Sequence, residues 1–201
     1  NMLTGTAPVA NGGTGVTTAA ALANTGNMVK LQSDTLSSIT EIEYDNTIIT
    51  DTYDIYELHL TKLNGSSDFN VSFRVSEDNG SNYITSSVYK RAIIGGNHGN
   101  SNDSLNGKFS AFDRGYIAGN INTFGGNSRE TVCLKATFHN LRDSSVGKVC
   151  MCHTHGETDG EKGLTEMGGI YLDDDAVVNN LKILFSAGTV SGKATLYGIK
   201  T

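Results

Sequence analysis

Apolar and polar side chains alternate along residues 69–76, and this stretch constrains the fold more than any other part of the sequence. The apolar positions are Phe69, Val71, Phe73 and Val75, and the polar ones are Asn70, Ser72, Arg74 and Ser76. In an extended chain a period of two places successive side chains on opposite faces, so one face can cover a core while the other meets water. The pattern therefore predicts a half-buried β-strand.

The same period recurs along the chain from Ile39 onward. Predicted strands cover residues 56–60, 69–76, 83–92, 109–112, 116–122, 132–138, 149–155, 181–186 and 193–199. Residues 109–112 and 116–122 are expected to pair with each other, as are residues 181–186 and 193–199, whereas residues 156–175 are predicted to be a long loop. About nine or ten short strands with turns every 8–12 residues or so predict an antiparallel β-sandwich or jelly roll.

Composition agrees with strands joined by tight turns. The 201 residues include 24 glycines, one proline and no tryptophan, and 37% of them are apolar, which suffices for a thin sandwich with one solvated face. The net charge of −6 argues against a nucleic-acid partner, because phosphate contacts need clustered Lys and Arg. Three cysteines without framework spacing argue against a disulfide scaffold and predict folding in a reducing cytoplasm.

Membrane insertion is not expected. No apolar run approaches the roughly 20 residues that cross a bilayer. The first residues have neither the basic region nor the apolar core of a signal peptide.

A segment of small residues from Thr6 to Leu22 precedes the predicted strands. Alone it buries too little apolar surface to offset the entropy of being ordered, but its small side chains allow copies of it to approach closely. Thr17 or Thr18 is predicted to cap a short helix that ends at Gly26. We expect residues 1–35 to form a trimerising neck and residues 36–201 to form a head domain; a flexible leader is the alternative to the neck.

Residues 8–18, Pro-Val-Ala-Asn-Gly-Gly-Thr-Gly-Val-Thr-Thr, closely resemble the Gly-Gly-Thr-Gly-x-Thr-Thr linker of bacteriophage tail fibre proteins. In that family the linker joins a shaft or virion-attachment region to a distal domain. Residues 181–200, which end in Leu-Tyr-Gly-Ile-Lys, look like the terminal hairpin of phage virion and fibre domains. Residues 53–58 and 73–81 are similar to the same group.

The resemblance implies a homotrimeric virion protein, a tail fibre that attaches the phage to a host-surface receptor. That receptor would be a glycan or an outer-membrane component, and other tail proteins would be further partners. Two alternatives are a structural decoration or connector domain and a glycan depolymerase. We expect no enzymatic activity, because catalytic motifs such as Gly-x-Ser-x-Gly and His-Glu-x-x-His are missing, although a glycosidase carboxylate pair can assemble from distant strands.

Residues 149–155, Val-Cys-Met-Cys-His-Thr-His, form the most distinctive local motif. In a strand the two thiols face one side, and the imidazoles of His153 and His155 face the other. A mixed Cys–His zinc site is therefore not expected. Neither face is fully polar, which predicts that one face lines the core and the other lies at a subunit interface.

Around a threefold axis, His153 and His155 would supply six imidazole nitrogens, a set that suits an octahedral divalent transition metal. The pair resembles the His-x-His motifs that hold iron on the trimer axis of phage fibre tips. Iron or zinc is therefore the candidate cofactor. The alternative is two ordinary surface histidines at the end of a strand.

Two glycine-rich polar segments, residues 95–103 and 124–127, are candidate receptor-binding surfaces. They combine small polar residues with one ring residue each, a mixture that can hydrogen-bond sugar hydroxyls and present an apolar face. The residues assigned to receptor binding are His98, Asn100, Asn102, Asp103, Phe124 and Asn127. Inert loops of the same composition are the alternative.

The run Asp173-Asp174-Asp175 offers carboxylate oxygens, which calcium prefers. Nothing in it resembles the spaced ligands of an EF-hand loop. A solvated acidic turn is the favoured interpretation.

Overall fold

The computed structural model describes residues 27–98, 104–119, 123–126, 130–158 and 162–201, with the backbone alone for residues 97–98, 104–109, 158 and 162. The predicted short helix and most of the predicted neck lie outside the described residues. The described residues form no helix that is long and apolar enough to span a membrane.

Two antiparallel β-sheets of unequal width make up the described part of the chain. The strands are β1 (Met28–Ile39), β2 (Glu41–Tyr44), β3 (Ile55–Gly65), β4 (Val71–Ser76), β5 (Tyr89–His98), β6 (Ser104–Phe112), β7 (Gly115–Ala118), β8 (Val132–His139), β9 (Lys148–Thr158), β10 (Lys162–Leu172), β11 (Asn180–Phe185) and β12 (Val190–Ile199). The large sheet has the order β1-β12-β3-β8-β9-β10-β5-β6, and the small sheet has the order β2-β11-β4-β7. The predicted all-β, antiparallel class is confirmed.

The core lies between the two sheets and is richest in aromatic rings at its centre. Phe73 of β4 contacts Phe138 of β8 and Tyr89 of β5 edge-on, with ring centroids 5.1 and 5.6 Å apart. A second group joins Phe69 to Phe124 and Phe185, at 6.1 and 6.2 Å. Ring contacts of this kind add to the stabilisation from the apolar area that the rings already bury.

The prediction of a half-buried strand at residues 69–76 is wrong, because β4 begins at Val71 and its polar residues Ser72 and Ser76 are buried as well. The predicted alternation is confirmed in the neighbouring strands β3 and β8. In β3, the side chains of Tyr56, Leu58 and Leu60 are fully buried. In β8, the buried positions are Val132, Leu134, Ala136 and Phe138. Each strand therefore gives one complete face to the core.

The first strand begins earlier than the predicted head. β1 starts at Met28 and pairs along its length with β12, from Met28 opposite Ile199 to Ile39 opposite Val190. The predicted boundary between residues 35 and 36 therefore lies inside β1.

The prediction of a long loop over residues 156–175 is wrong for most of that range. β10 forms a hairpin with β9, in which Lys162 pairs with Thr158 and Leu172 pairs with Lys148. Leu164 and Ile170 are buried. Gly168 and its neighbour Gly169 dilute the apolar alternation, and this is why the strand was missed.

Both predicted hairpins are also wrong, because the chain changes sheets between the two strands in each case. β11 pairs with β2 and β4 in the small sheet, whereas β12 pairs with β1 and β3 in the large one. Likewise β6 pairs with β5, and β7 pairs with β4. The strand predicted at residues 83–92 begins only at Tyr89 and continues to His98.

Gly168 lies against the backbone of β5, and this makes a matched pair of variants informative. A Cβ at Gly168 would lie 2.2 Å from the carbonyl oxygen of Ala92, whereas a Cβ at Gly163 would have its nearest neighbour, an atom of His155, 3.9 Å away. We expect Gly168→Ala to lower the free energy of unfolding by about 1–3 kcal/mol. Gly163→Ala, in the same strand, is expected to change it by less than about 0.5 kcal/mol. Urea denaturation at one fixed protein concentration measures both, and equal midpoints for the two variants would contradict the packing at Gly168.

A second prediction concerns Asp113, in the turn between β6 and β7. Hydrogen bonds from Arg114 and Arg74 outweigh the effect of burial and lower the pKa of Asp113 to about 2. A pKa below the unfolded value of about 3.9 means that the ionised carboxylate stabilises the fold above pH 4, and that this contribution is lost as the pH falls toward 2. Because the side chain is 40% exposed, screening by solvent limits the effect to about 1 kcal/mol or less.

The Asp113→Asn variant is therefore expected to lose less stability than the wild type between pH 4 and pH 2. Thermal unfolding across this range measures the difference. Parallel pH profiles for the two proteins would contradict the assigned ion pairs.

Candidate functional site

The strand register places the start of β1 at one end of the large sheet. One row of paired residues runs across this end, through Met28, Ile199, Ile55, His139, Val149, Tyr171 and Lys90. We call it the Met28 end. The row at the opposite end runs through Leu63, Val132, Gly156, Leu164, Asn97 and Ser104. Residues 99–103, 119–131 and 159–161 join the strands at this second end, which we call the loop end.

Most of the predicted receptor-binding residues belong to segments attached to the loop end. The backbone of His98 ends β5 there. Asn100, Asn102, Asp103 and Asn127 lie outside the described residues, but the strands on either side of their segments reach this end. The tertiary structure thus brings the roots of two segments that are far apart in sequence to one end of the sheet.

Phe124 does not fit the predicted binding role and is corrected to a core residue. Its side chain is fully buried. Its backbone N–H and carbonyl each form a 3.0 Å hydrogen bond with Phe69, and its ring contacts the Phe69 ring. Because these contacts hold Phe124 in the core, its ring is not an exposed surface for a receptor.

Glu166 and Arg91 form a buried polar cluster behind the loop end. The backbone N–H of Gly119 donates a 2.6 Å hydrogen bond to Glu166 Oε2, and both charged side chains are buried. The Arg91 guanidinium lies 4.5 Å from the centre of the Phe112 ring, a cation–π contact. Desolvation by burial lowers the pKa of Arg91, while Glu166 acts in the opposite direction. The hydrogen bond to Glu166 holds the backbone of Gly119, the residue that precedes residues 120–122.

The predicted division of β9 into a thiol face and an imidazole face is confirmed. Cys150 and Cys152 are buried, whereas His153 and His155 are exposed. Burial is the main cause that raises the pKa of Cys152 to about 12, and it raises the pKa of Cys150 as well. Both thiols are therefore protonated near neutral pH and are not available as thiolate ligands.

One chain supplies only part of a metal site at the two histidines. His155 Nδ1 lies 2.8 Å from the Oγ1 of Thr165, and His153 pairs across the sheet with Lys135 and Met167. Within the described residues, no group of three His, Cys, Asp or Glu side chains could hold a metal ion. Two imidazoles on one face, two residues and about 7 Å apart along the strand, fall short of the four ligands of zinc or the six of an octahedral ion. A metal at this position would therefore need ligands besides these two histidines.

The acidic run after β10 makes the contacts of a turn. Asp173 pairs with Lys90, and Asp174 Oδ1 accepts a 3.0 Å hydrogen bond from the backbone N–H of Ala176. Asp174 also contributes, after burial, to raising the pKa of Glu77. These contacts agree with the favoured interpretation of a solvated turn.

The extent of an exposed apolar surface on the outer face of the large sheet was not predicted from the sequence, which predicted only that one face of β9 lies at a subunit interface. Met151, Met167 and Ile94 line a hollow of about 540 Å³ on β9, β10 and β5, with His153 and Lys135 at its border. The extent of the surface was missed because β10 was predicted to be a loop. The sequence does contain a sign of strand β10, because two sets of residues alternate along it. One set is Leu164, Glu166, Gly168 and Ile170, and the other is Thr165, Met167, Gly169 and Tyr171.

Comparisons of the chain with protein-family models, with curated proteins and with solved structures found no match.

Proposed function

We propose that the chain is the distal, receptor-binding part of a bacteriophage tail fibre, a homotrimeric adhesin that attaches the virion to a host-surface receptor. The observation that carries the proposal is the placement of the two ends of the large sheet. The segment that resembles a fibre linker leads into β1 at the Met28 end, and the segments rich in Asn, Gly and Ser are attached at the loop end. In a fibre of this design the linker side faces the virion and the loop end faces the host.

The amino-acid composition of the loop-end segments favours a polar receptor. Residues 99–103 read Gly-Asn-Ser-Asn-Asp, and their amide, hydroxyl and carboxylate groups can hydrogen-bond to the hydroxyls of a surface glycan. The buried bond from Gly119 to Glu166 supports the root of a neighbouring segment. Three such sites on one head give high avidity from weak single contacts.

The two exposed histidines fit the same proposal. In a trimer with β9 near the axis, His153 and His155 of three chains would hold iron or zinc, and the ion would crosslink the subunits. Neither residue would take part in receptor binding. The metal would therefore act on the assembly and its stability.

The adhesin proposal predicts that labelled protein binds intact cells of at least one strain in a panel of bacteria. The double variant Asn100→Ala/Asn102→Ala is expected to weaken that binding about tenfold or more, because it removes hydrogen-bonding groups worth at least about 1.4 kcal/mol. Flow cytometry measures the bound protein. The matched control, Ser144→Ala/Val146→Ala, changes two exposed residues of the loop at the Met28 end and is expected to bind as the wild type does.

Each rival function gives a different result in this assay. A connector domain would bind no strain and would instead bind another virion protein. A depolymerase would release sugar fragments from the envelope or capsule of a strain to which it binds. Unchanged binding by the Asn100→Ala/Asn102→Ala variant would show that residues 99–103 do not form the receptor site.

The metal proposal predicts about one iron or zinc ion per three chains in the purified protein, because six imidazole nitrogens complete one octahedral site. Elemental analysis by mass spectrometry, run alongside the mass in solution, measures this ratio. His153→Ala/His155→Ala is expected to lose the metal, and His139→Ala, on the neighbouring strand β8, is expected to keep it. A trimer without metal would show that His153 and His155 are surface histidines that bind no ion.

A further inference from the structure

The outer face of the large sheet, which points away from the small sheet, has a more polar half and an apolar half, although Met28 and Tyr197 lie on the more polar half. On β1, β12 and β3 this face carries residues such as Lys30, Ser33 and Thr61. On β9, β10 and β5 it carries large apolar side chains that remain exposed, namely Met151 (58%), Met167 (47%), Ile94 (46%) and Tyr171 (42%). We call this second region the apolar half. Contiguous exposed apolar surface of this kind marks a site of interaction.

The apolar half contains both protruding and recessed positions. Met151 pairs with Gly169, and Gly169 pairs with Ala92, so two small residues follow Met151 across the sheet. The hollow of about 540 Å³ lies on one side of this row, and a second hollow of about 390 Å³, bordered by Tyr171, lies on the other. A protruding side chain beside a recess on the same face can be accommodated by the equivalent recess of another copy.

The charges at the border of the apolar half are neutralised within the chain. Lys135 forms a 2.6 Å ion pair with Glu57, and Lys90 pairs with Asp173. The chain carries a net charge of −6, so copies repel one another in general. Since the lysines at its border are paired, the apolar half is a face on which two copies meet less of this repulsion.

The size of the apolar half suits a contact between subunits. With β8 at its border, it spans four strands about 4.8 Å apart and about ten residues of roughly 3.4 Å each, which gives a flat area of about 650 Å². A standard protein interface buries about 800 Å² of each partner, measured over the rougher accessible surface. The flexible thioether of methionine adapts well to such a contact.

We propose that the apolar half is covered by a second copy of the chain, with Met151 of one subunit seated in the hollow beside Met167 of the next. The inference rests on the homotrimer of the proposed function and assigns its subunit contact in the head. It places β9 at the interface, and His153 at the border of that contact. The loop end, at the end of the strands, stays outside the interface and accessible to a receptor.

Oxidation of methionine by dilute hydrogen peroxide tests this contact directly. Met28 lies outside the apolar half and is 43% exposed, which is close to the values for Met151 and Met167. In an isolated chain the three thioethers are therefore expected to oxidise at similar rates, as followed by peptide mass spectrometry. In the associated protein, Met151 and Met167 are expected to oxidise about tenfold or more slowly than in the unassociated chain, and equal rates in the two states would overturn the inference.

Two charge variants provide the comparison between the associated protein and the unassociated chain. Met167→Glu places a carboxylate in the contact and is expected to abolish the protection of Met151. Thr61→Glu places the same charge on the more polar half of the same face and is expected to leave Met151 protected. Circular dichroism checks that both variants are folded, and protection that persists in Met167→Glu would overturn the inference.

The mass in solution separates a second copy from other occupants. Protection of Met151 in a species with the mass of one chain, together with a bound molecule detected by native mass spectrometry, would assign the hollow to a ligand and overturn the inference. Protection in the assembled protein without binding to any bacterial strain would support the interface while removing the adhesin proposal. Cell binding by a protein whose methionines all oxidise at equal rates would support the adhesin proposal and overturn the proposed interface.

Discussion

The packing of Phe73 between the two sheets is the contact on which the rest of the structure depends. Its ring, on β4 of the small sheet, meets Phe138 and Tyr89 on two separate strands of the large sheet. This contact joins a four-stranded layer to an eight-stranded one and decides which face of each strand is buried. Since β8 and β5 flank the β9–β10 hairpin in the large sheet, their inward faces also determine the register of the hairpin between them.

That register decides which side chains of β9 and β10 are buried and which are exposed. A shift of one residue would exchange the two faces of a strand. In β9 such a shift would expose Cys150 and Cys152 and bury the histidines. In β10 it would bring the buried carboxylate of Glu166 to the surface and break its hydrogen bond to Gly119. The same packing therefore protects the thiols, exposes the imidazoles and supports one root of the loop end.

The alternation of β3 and β8 was predicted well from the sequence, whereas β4, predicted to be half-buried, is buried on both faces, and the glycine-containing strand β10 was not predicted. Residues 132–138 and 56–60 carry large apolar side chains at every second position, and burial of those side chains drives strand formation by itself. In β10, Gly168 and Gly169 remove side chains from both faces, so the pattern weakens although the strand is as long as β9. The burial of Phe124 was missed for a different reason, because its bridge to Phe69 joins residues 55 positions apart.

By itself, the sequence determined the all-β class, the inward and outward faces of β3, β8 and β9, and the separation of thiols from imidazoles. These properties depend on the two-residue period of an extended chain, which is local. Only the tertiary structure decided which strands pair, because the partner of a strand is chosen by the burial of whole faces and not by nearness in sequence. For this reason β11 and β12 belong to different sheets, strands that flank the glycine-rich segments end opposite Met28, and the side chains of Ile94, Met151, Met167 and Tyr171 converge on one apolar surface.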